Sequence, residues 1–263
     1  MGEGSMQFDP DVTVASPSRV YDYWLGGSFN FAVDRELGDR MIAIDPTIVP
    51  MVRDNRSFLR RAVTWLCEHD VTQFLDLGSG IPTVGNVHEV AARLRPEAKV
   101  AYVDCEPVAV TMSTRLLEGN PNATITHADL RDWQTVLAAP TVAGLLDFNR
   151  PIAVLALSVL QYFDEAANPA ETIAHYRRAL VPGSYLGITH ISADEAGVDM
   201  VGLAEATRKA AVSAHLRTRE QVMRLFGDAQ LVPPGLVRVG EWNPQPGAPA
   251  AVPGIFGGLG RVP

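Results

Sequence analysis

The sequence predicts a doubly wound α/β fold, and three observations carry that reading. From Gln73 onward, short apolar segments alternate with amphipathic helical ones, the signature of βαβ units around a parallel sheet. The first such segment, Gln73-Phe74-Leu75-Asp76-Leu77, runs into Gly78-Ser79-Gly80 and then a helical pattern. That strand-turn-helix order presents a ligand at the carboxyl edge of a sheet. The run 152–157 is wholly apolar, as a central strand covered on both faces must be.

The elements follow in order. Residues 1–15 read as a poorly ordered, flexible lead, 16–70 as a helical N-terminal cap and 71–263 as the α/β core, one compact domain in all. Ser16-Pro17 supplies an N-cap followed by proline at the first helical position, opening a short helix through Tyr21 and Trp24 that Gly26-Gly27 ends. Asn30 caps a second helix over 31–44, and Asp45-Pro46 repeats the signal. After Pro50, the amphipathic pattern Val52, Phe58, Leu59, Ala62, Val63, Leu66 continues to Glu68. Strands are expected at 73–77, 99–104, 124–128, 152–157 and 185–191. Helices fill the gaps at 86–94, at 108–118, just after Asp132 and at 169–180, the last closed by Pro182-Gly183. Beyond Ser192 come a polar loop, a helix over 199–212 where an acceptor-site wall belongs, and a helix opened by the capping box Thr218 to Gln221. Segments 236–242 and 254–261 read as an antiparallel terminal pair.

Composition narrows the function. The 263 residues, 47% hydrophobic and 20% charged, suit one soluble domain with a full core. No apolar run reaches the roughly 18 residues of a membrane span, and the start carries no basic n-region, so a cytoplasmic location is expected. A net charge of −8 disfavours nucleic acid as a partner, since neutralising phosphates needs a basic face. Cys67 and Cys105 stand alone, without CxxC or zinc-like spacing, so neither a disulfide framework nor a metal is expected.

Four features surround the glycine turn. Asp76 precedes it at the end of the first strand. Asp104 ends the second strand, ahead of Cys105-Glu106-Pro107, where an acid accepts hydrogen bonds from both hydroxyls of a ribose. His127-Ala128-Asp129-Leu130 closes the third strand, with Asp129 in position to meet an adenine amino group and Leu130 to border the ring. The segment Leu157-Ser158-Val159-Leu160-Gln161-Tyr162-Phe163 leaves the fourth strand into the cleft, where Ser158 and Val159 would floor the site. Ribose recognition is common to NAD and S-adenosylmethionine enzymes, and the turn separates them. A dinucleotide turn needs a third glycine and a helix N-terminus free to meet a pyrophosphate. Here Thr83 stands in that place and Pro82 removes one donor. S-adenosylmethionine brings an ammonium instead of a pyrophosphate, and an acid at Asp76 suits it. The opposing reading, an NAD-linked oxidoreductase, expects Tyr-x-x-x-Lys, but Ala166 follows Tyr162 at that spacing. A regulatory S-adenosylmethionine-binding protein without catalysis is the other alternative.

His190, ending the fifth strand, and Tyr162 are the candidate catalytic residues, His190 because an imidazole titrates near neutrality. Cys105 and Glu106 are placed beside the adenosine pocket, Cys105 with no base to make it a nucleophile. Tyr21 and Asn30 in the N-terminal segment either contact the cofactor or pack its groove.

The chain also resembles a family of bacterial S-adenosylmethionine-dependent methyltransferases once classed as a domain of unknown function. The resemblance runs from about Pro17 to Arg261 and rests on 19–27, 30–35, 55–62, 74–83, 85–89, 102–104, 128–132, 182–186 and 256–261. In the first of these stretches, Ser28-Phe29 follow where related chains carry a lysine and an acid. The resemblance implies a Rossmann-like, class I methyltransferase sheet of seven strands with the last antiparallel, and a helical segment lying over the cofactor. The expected activity is methyl transfer from S-adenosylmethionine to a small-molecule acceptor.

Overall fold

In a computed structural model, which describes residues 11–82, 85–192, 194, 199–210 and 213–263, three helices precede the first strand. They are α1 (Pro17–Trp24), α2 (Ala32–Ile44) and α3 (Ile48–Glu68). The proline at the start of α1 sits where its missing N–H costs nothing. Asn30 does not cap α2, as the sequence suggested. Its side-chain amide is spent on Asp22 Oδ2 at 2.9 Å and the Gly27 carbonyl at 3.0 Å, and Phe31 takes the cap position while Asp34 reaches back to its N–H at 2.8 Å. Residues 11–15 are tied down: Ala15 is buried, and the Asp11 and Val14 carbonyls accept from Arg19 Nη2.

The core alternates β1 (Gln73–Leu77), α4 (Val87–Leu94), β2 (Lys99–Asp104), α5 (Pro107–Leu116), β3 (Ala123–His127), α6 (Trp133–Ala138), α7 (Pro140–Ala143), β4 (Ala153–Leu157), α8 (Pro169–Arg178) and β5 (Tyr185–Ile191). After β5 come α9 (Met200–Lys209), α10 (Arg219–Arg224), β6 (Gln230–Leu231), β7 (Val237–Arg238) and β8 (Ile255–Arg261). The expected helix over 199–212 thus ends at Lys209, and 211–212 lie outside the described residues, as does most of the loop before it. The capping box of α10 forms as read, Thr218 N–H to Gln221 Oε1 at 2.8 Å and Gln221 N–H to Thr218 Oγ1 at 3.2 Å.

The sheet runs β3-β2-β1-β4-β5-β8-β6, with β7 also on β8. The first five strands are parallel and β8 is antiparallel to β5. The terminal pairing expected from sequence is present but short, Val237 opposite Gly257 and Arg238 opposite Phe256. Thus the sheet has eight strands where seven were expected. Two-residue periodicity sorts its side chains. Phe74, Val100, Tyr102 and Leu155 face α3 and α4, whereas Leu75, Leu77, Val103, Ala156 and Leu186 face α8 and α10. By the same alternation Asp76 and Asp104 fall on the α3 side, and α1 lies across the carboxyl ends of the strands above them.

Candidate cofactor site

The turn after β1 is shaped by two glycines. Gly78 and Gly80 both adopt φ of +68°, a left-handed conformation that side chains rarely take. A Cβ on Gly78 would lie 2.3 Å from Val159 Cγ2, so glycine lets the turn pack on the segment leaving β4. At Gly80 a Cβ would meet nothing within 4 Å and would project into open space. The turn is pinned to β2: Gly78 and Ser79 donate to the Val103 carbonyl at 2.8 and 3.2 Å, and Gly80 N–H donates to Asp104 Oδ2 at 2.7 Å. Asp104 Oδ1 accepts from Glu106 N–H at 2.8 Å, and Glu106 caps α5 through Ala109 N–H at 2.7 Å.

Glu106 also ties the N-terminal cap to the sheet. Its Oε1 meets Arg19 Nη1 at 3.0 Å, while Arg19 Nε donates to Asp34 Oδ2 at 2.9 Å. Both Arg19 and Asp34 are buried, so this pair is matched by charge and by hydrogen bonds where an isolated ion would be costly.

Between cap and turn lies a cavity of about 660 Å³, within the range of about 300–1,000 Å³ typical of small-ligand pockets. It is lined by the strand ends Asp76, Asp104 and Leu157, the turn, and Tyr21, Asn55 and Arg56 from α1 and α3. Of the residues expected from sequence, Asp76, Gly78, Ser79, Gly80, Asp104, Cys105, Glu106, Asp129, Leu130, Ser158, Val159, Tyr21 and Tyr162 all border it. Asn30 does not; it holds Asp22, which does. Thr83 lies outside the described residues.

Burial sets the electrostatics. It pushes the Asp76 carboxyl up to about 7, with Arg56 opposing and Asp104 reinforcing the shift. Asp104 and Glu106 are likewise raised, burial first, against the hydrogen bonds that favour their charged forms. Asp129 goes the other way because Arg131 grips both its oxygens. The Cys105 thiol rises to about 11, through desolvation and the charges of Asp104 and Asp129, which rules against a nucleophile. Burial lifts the Tyr162 phenol to about 12, so at neutral pH it is a donor and not a base.

His190 is a correction. It is fully buried away from the cavity, with Nδ1 on the Ile191 carbonyl at 2.6 Å and Nε2 on Arg217 Nη1 at 2.7 Å. Burial pushes it down to about 4. The reason is parity: His190 shares a face with Leu186 and Ile188, opposite the face of Asp76 and Asp104, while its neighbour Thr189 turns toward the site and approaches Ser158 Oγ at 3.3 Å. Arg217 also binds the Leu160 and Phe163 carbonyls at 3.0 and 2.9 Å, so the histidine belongs to a clamp on the segment after β4.

Three residues with no role assigned from sequence, Asp22, Asn55 and Arg56, complete the cavity. Asp22 Oδ1, Asn55 Oδ1, Arg56 Nε and, beside the expected backbone of the turn, Ser79 Oγ are buried without a hydrogen-bond partner among the described residues. Asn55 interrupts the apolar stripe of α3 between Val52 and Phe58, and Arg56 flanks it, so the packing of that stripe on the sheet carries both to the cavity. Buried polar atoms are ordinarily satisfied, so these two acceptors, one guanidinium donor and one hydroxyl mark where a ligand with both an ammonium and a carboxylate fits.

Comparison with known proteins agrees. The family model described as S-adenosyl methyltransferase matches residues 4–263. A structure from Thermobifida fusca YX with a provisional methyltransferase assignment is 38% identical, covers 96% of each chain and superposes with a TM-score of 0.90. A DUF574 family protein from Streptomyces avermitilis MA-4680 is 31% identical over 96% of this chain and 99% of that one, with a TM-score of 0.92. The plantazolicin methyltransferase BpumL, solved with S-adenosylhomocysteine, shares the fold at 15% identity, 94% and 95% coverage and a TM-score of 0.53. No curated protein matches. With a family model spanning nearly the whole chain and a cavity whose unsatisfied atoms suit an amino-acid headgroup, the chain belongs to the S-adenosyl methyltransferase family and is an S-adenosylmethionine-dependent methyltransferase.

Proposed function

We propose that the protein methylates a small molecule, with the cofactor in the cavity beneath α1. The observation that carries the placement is the set of unpartnered buried atoms on residues that line that cavity. Asp22 Oδ1, Asn55 Oδ1 and the Asp76 carboxyl would receive the ammonium, and Arg56 Nε with Ser79 Oγ the carboxylate. Asp104, already holding the turn, has lone pairs left for ribose hydroxyls, and Leu130 borders the adenine end beside Asp129.

When bound, the cofactor supplies an electrophilic methyl on a sulfonium with a good leaving group. The chain's part is then chiefly to orient the reactants and exclude water, which supplies about 7–11 kcal/mol in favourable cases. Tyr21, Asn55 and Ser158 form a fixed rail for this. Asn55 Nδ2 donates to Tyr21 Oη and to Ser158 Oγ, each at 3.0 Å, and Tyr21 Oη–H reaches the Val52 carbonyl at 3.3 Å. Ser158 is held at φ +54° to present its hydroxyl there, a backbone strain that tends to collect at functional sites. A pocket beneath a helical cap and a net charge of −8 favour a small acceptor over nucleic acid. No described helix is long and apolar enough to cross a membrane.

Calorimetry with S-adenosylmethionine, S-adenosylhomocysteine and NAD tests the placement. The first two are expected to bind wild type and to bind Arg56→Ala at least tenfold more weakly, and NAD to bind neither. Equal affinities in wild type and variant would refute it.

A further inference from the structure

The polar atoms that suit the cofactor's amino-acid head, on Asp22, Asn55, Arg56 and Ser79, are buried and closed to solvent. Asp22 belongs to α1, Asn55 and Arg56 to α3, and Ser79 to the turn after β1. A head group reaches all four only when one of these walls stands back.

The N-terminal wall is the one with few ties. Residues 14–19 line the cavity without a break, joined by Asp11, Tyr21, Asp22 and Leu25. Hydrogen bonds bind α1 to α2 as one unit. Asp34 accepts from Ser16 N–H and Arg19 Nε, each at 2.9 Å, Tyr23 Oη donates to Asp39 Oδ1 at 2.6 Å, and Trp24 Nε1 donates to the Gly38 carbonyl at 3.4 Å. Among the described residues, this unit is hydrogen-bonded to the rest of the fold at three places. The first is its chain connection to α3, where Asp45 Oδ2 also accepts from Asp199 N–H at 2.8 Å. The second is Tyr21, which meets the Val52 carbonyl and Asn55 of α3. The third, Arg19 Nη1 on Glu106 Oε1 at 3.0 Å, ties it to the end of β2.

The apolar seat of the unit is loosely filled. A void of about 70 Å³ beside the cofactor cavity has Val20, Leu37 and Met41 of the unit on its wall together with Met51, Met200 and Ile255. Side chains beside a gap lack the dispersion contacts of a packed core, and methionines adapt to a shift of their neighbours. The seat therefore resists movement less than close-packed side chains would. Arg19 carries the charge that holds the unit down. It is 3% exposed and is the cation that offsets Asp104 at Glu106. Glu106 N–H in turn donates to Asp104, the acid suited to the ribose.

We propose that α1 and α2 form a lid, that the Arg19–Glu106 pair latches it shut, and that the cofactor enters and leaves only when this latch releases. Arg19 and Glu106 are then positioning residues for closure. This rests on the methyltransferase reading above and adds to it the gating of the cofactor.

Glu106→Gln opens the latch with little other change: the amide oxygen can still cap α5 through Ala109 N–H, which leaves its NH₂ facing the Arg19 guanidinium, donor against donor. Stopped-flow tryptophan fluorescence, with Trp24 of α1 as reporter, follows S-adenosylhomocysteine binding. In wild type the observed rate should level off as ligand is raised, because opening precedes binding. In Glu106→Gln the plateau should rise about tenfold, the scale of one hydrogen bond to a charged group. Hydrogen exchange without ligand should quicken in α1 and α2 of the variant and stay unchanged in β1 and β4, a pattern that neither a lost ligand contact nor a general loosening produces. If Glu106→Gln does not fold, Arg19→Met with Asp34→Asn releases the same latch from the lid side, with the same rise expected. A wild-type rate that climbs without a plateau, or a plateau and lid exchange that releasing the latch leaves unchanged, overturns the proposal while the cofactor assignment stands. Failure of wild type to bind S-adenosylhomocysteine in calorimetry overturns the cofactor reading, and the latch falls with it.

Discussion

Replacing Asp76 by asparagine separates a cost to the empty protein from a gain in the loaded one. The carboxyl moves from 3.8 to about 7, mainly through burial, which is about 3 pH units at about 1.36 kcal/mol each, or up to about 4 kcal/mol. Because the folded-state value is raised, the folded protein keeps a proton that the unfolded chain releases between pH 3.8 and 7. Stability from this group therefore falls as pH rises through that window and is flat on either side. His190 acts in the opposite sense: lowered from 6.5 to about 4, it makes the fold lose stability as pH drops from 6.5 toward 4. The two slopes nearly cancel in wild type, so the quantity to measure is the difference between Asp76→Asn and wild type in urea unfolding at each pH. That difference should grow in favour of the variant from pH 4 to 7 and then level. Binding reverses the sign. A bound ammonium favours the ionised carboxylate, so wild-type affinity for S-adenosylmethionine should rise about fivefold between pH 6 and 7, the change in ionised fraction for a group titrating near 7 over a range in which the ligand's α-amino group, at about 7.7–8.0, stays mostly protonated. In Asp76→Asn it should be weaker at pH 7 and nearly flat over that range. A variant that keeps the fivefold rise, or a wild type without one, refutes the argument.

Asp104→Ala removes the acceptor that fixes Gly80 and Glu106 N–H groups as well as the expected ribose contact. Calorimetry should show S-adenosylhomocysteine affinity down about 10- to 100-fold, the scale of charged hydrogen bonds, and unchanged affinity would count against the strand-end role. Arg19→Met leaves Asp34 buried without its partner, and thermal unfolding should show a loss of about 3–5 kcal/mol, partly recovered on adding Asp34→Asn. For His190, nitrogen-detected NMR should find Nδ1 protonated, Nε2 bare and no titration near pH 6.5, and a midpoint there would contradict the buried clamp with Arg217.

The strands and the cofactor turn were legible because their signals are local. The strands at 73–77, 99–104 and 185–191 have the bounds read from sequence, and β4 starts one residue late, at Ala153. Asp76, Gly78, Gly80 and Asp104 are found at the strand ends where their spacing placed them. The terminal strands were harder. In β8 a Cβ on Gly257 would stand 2.8 Å from Val239 and 2.9 Å from Thr189, so the glycine that weakens the strand pattern is what lets β7 and the segment after it pack there. His190 failed for a reason the sequence did contain. Its position at a strand end was right, but counting in twos from Leu186 puts it behind the sheet and brings Thr189 forward.

What stayed hidden was everything that depends on a helix being laid over the sheet. Asn55 stands within the apolar stripe of α3, between Val52 and Phe58, and Arg56 borders it. A lone amide in an apolar stripe was a signal the sequence did carry, but only the packing of α3 shows that it lines a cavity. The smaller void beside the cofactor cavity is further from view, since α1, α2, α3, α9 and β8 line it mostly with apolar residues that look like core in their own segments. A strand-end motif sits on one strand and one turn, whereas a wall assembled from five elements leaves no local signal. The sequence therefore speaks for the cofactor half of the reaction, where acids and glycines fall at the strand ends by simple count.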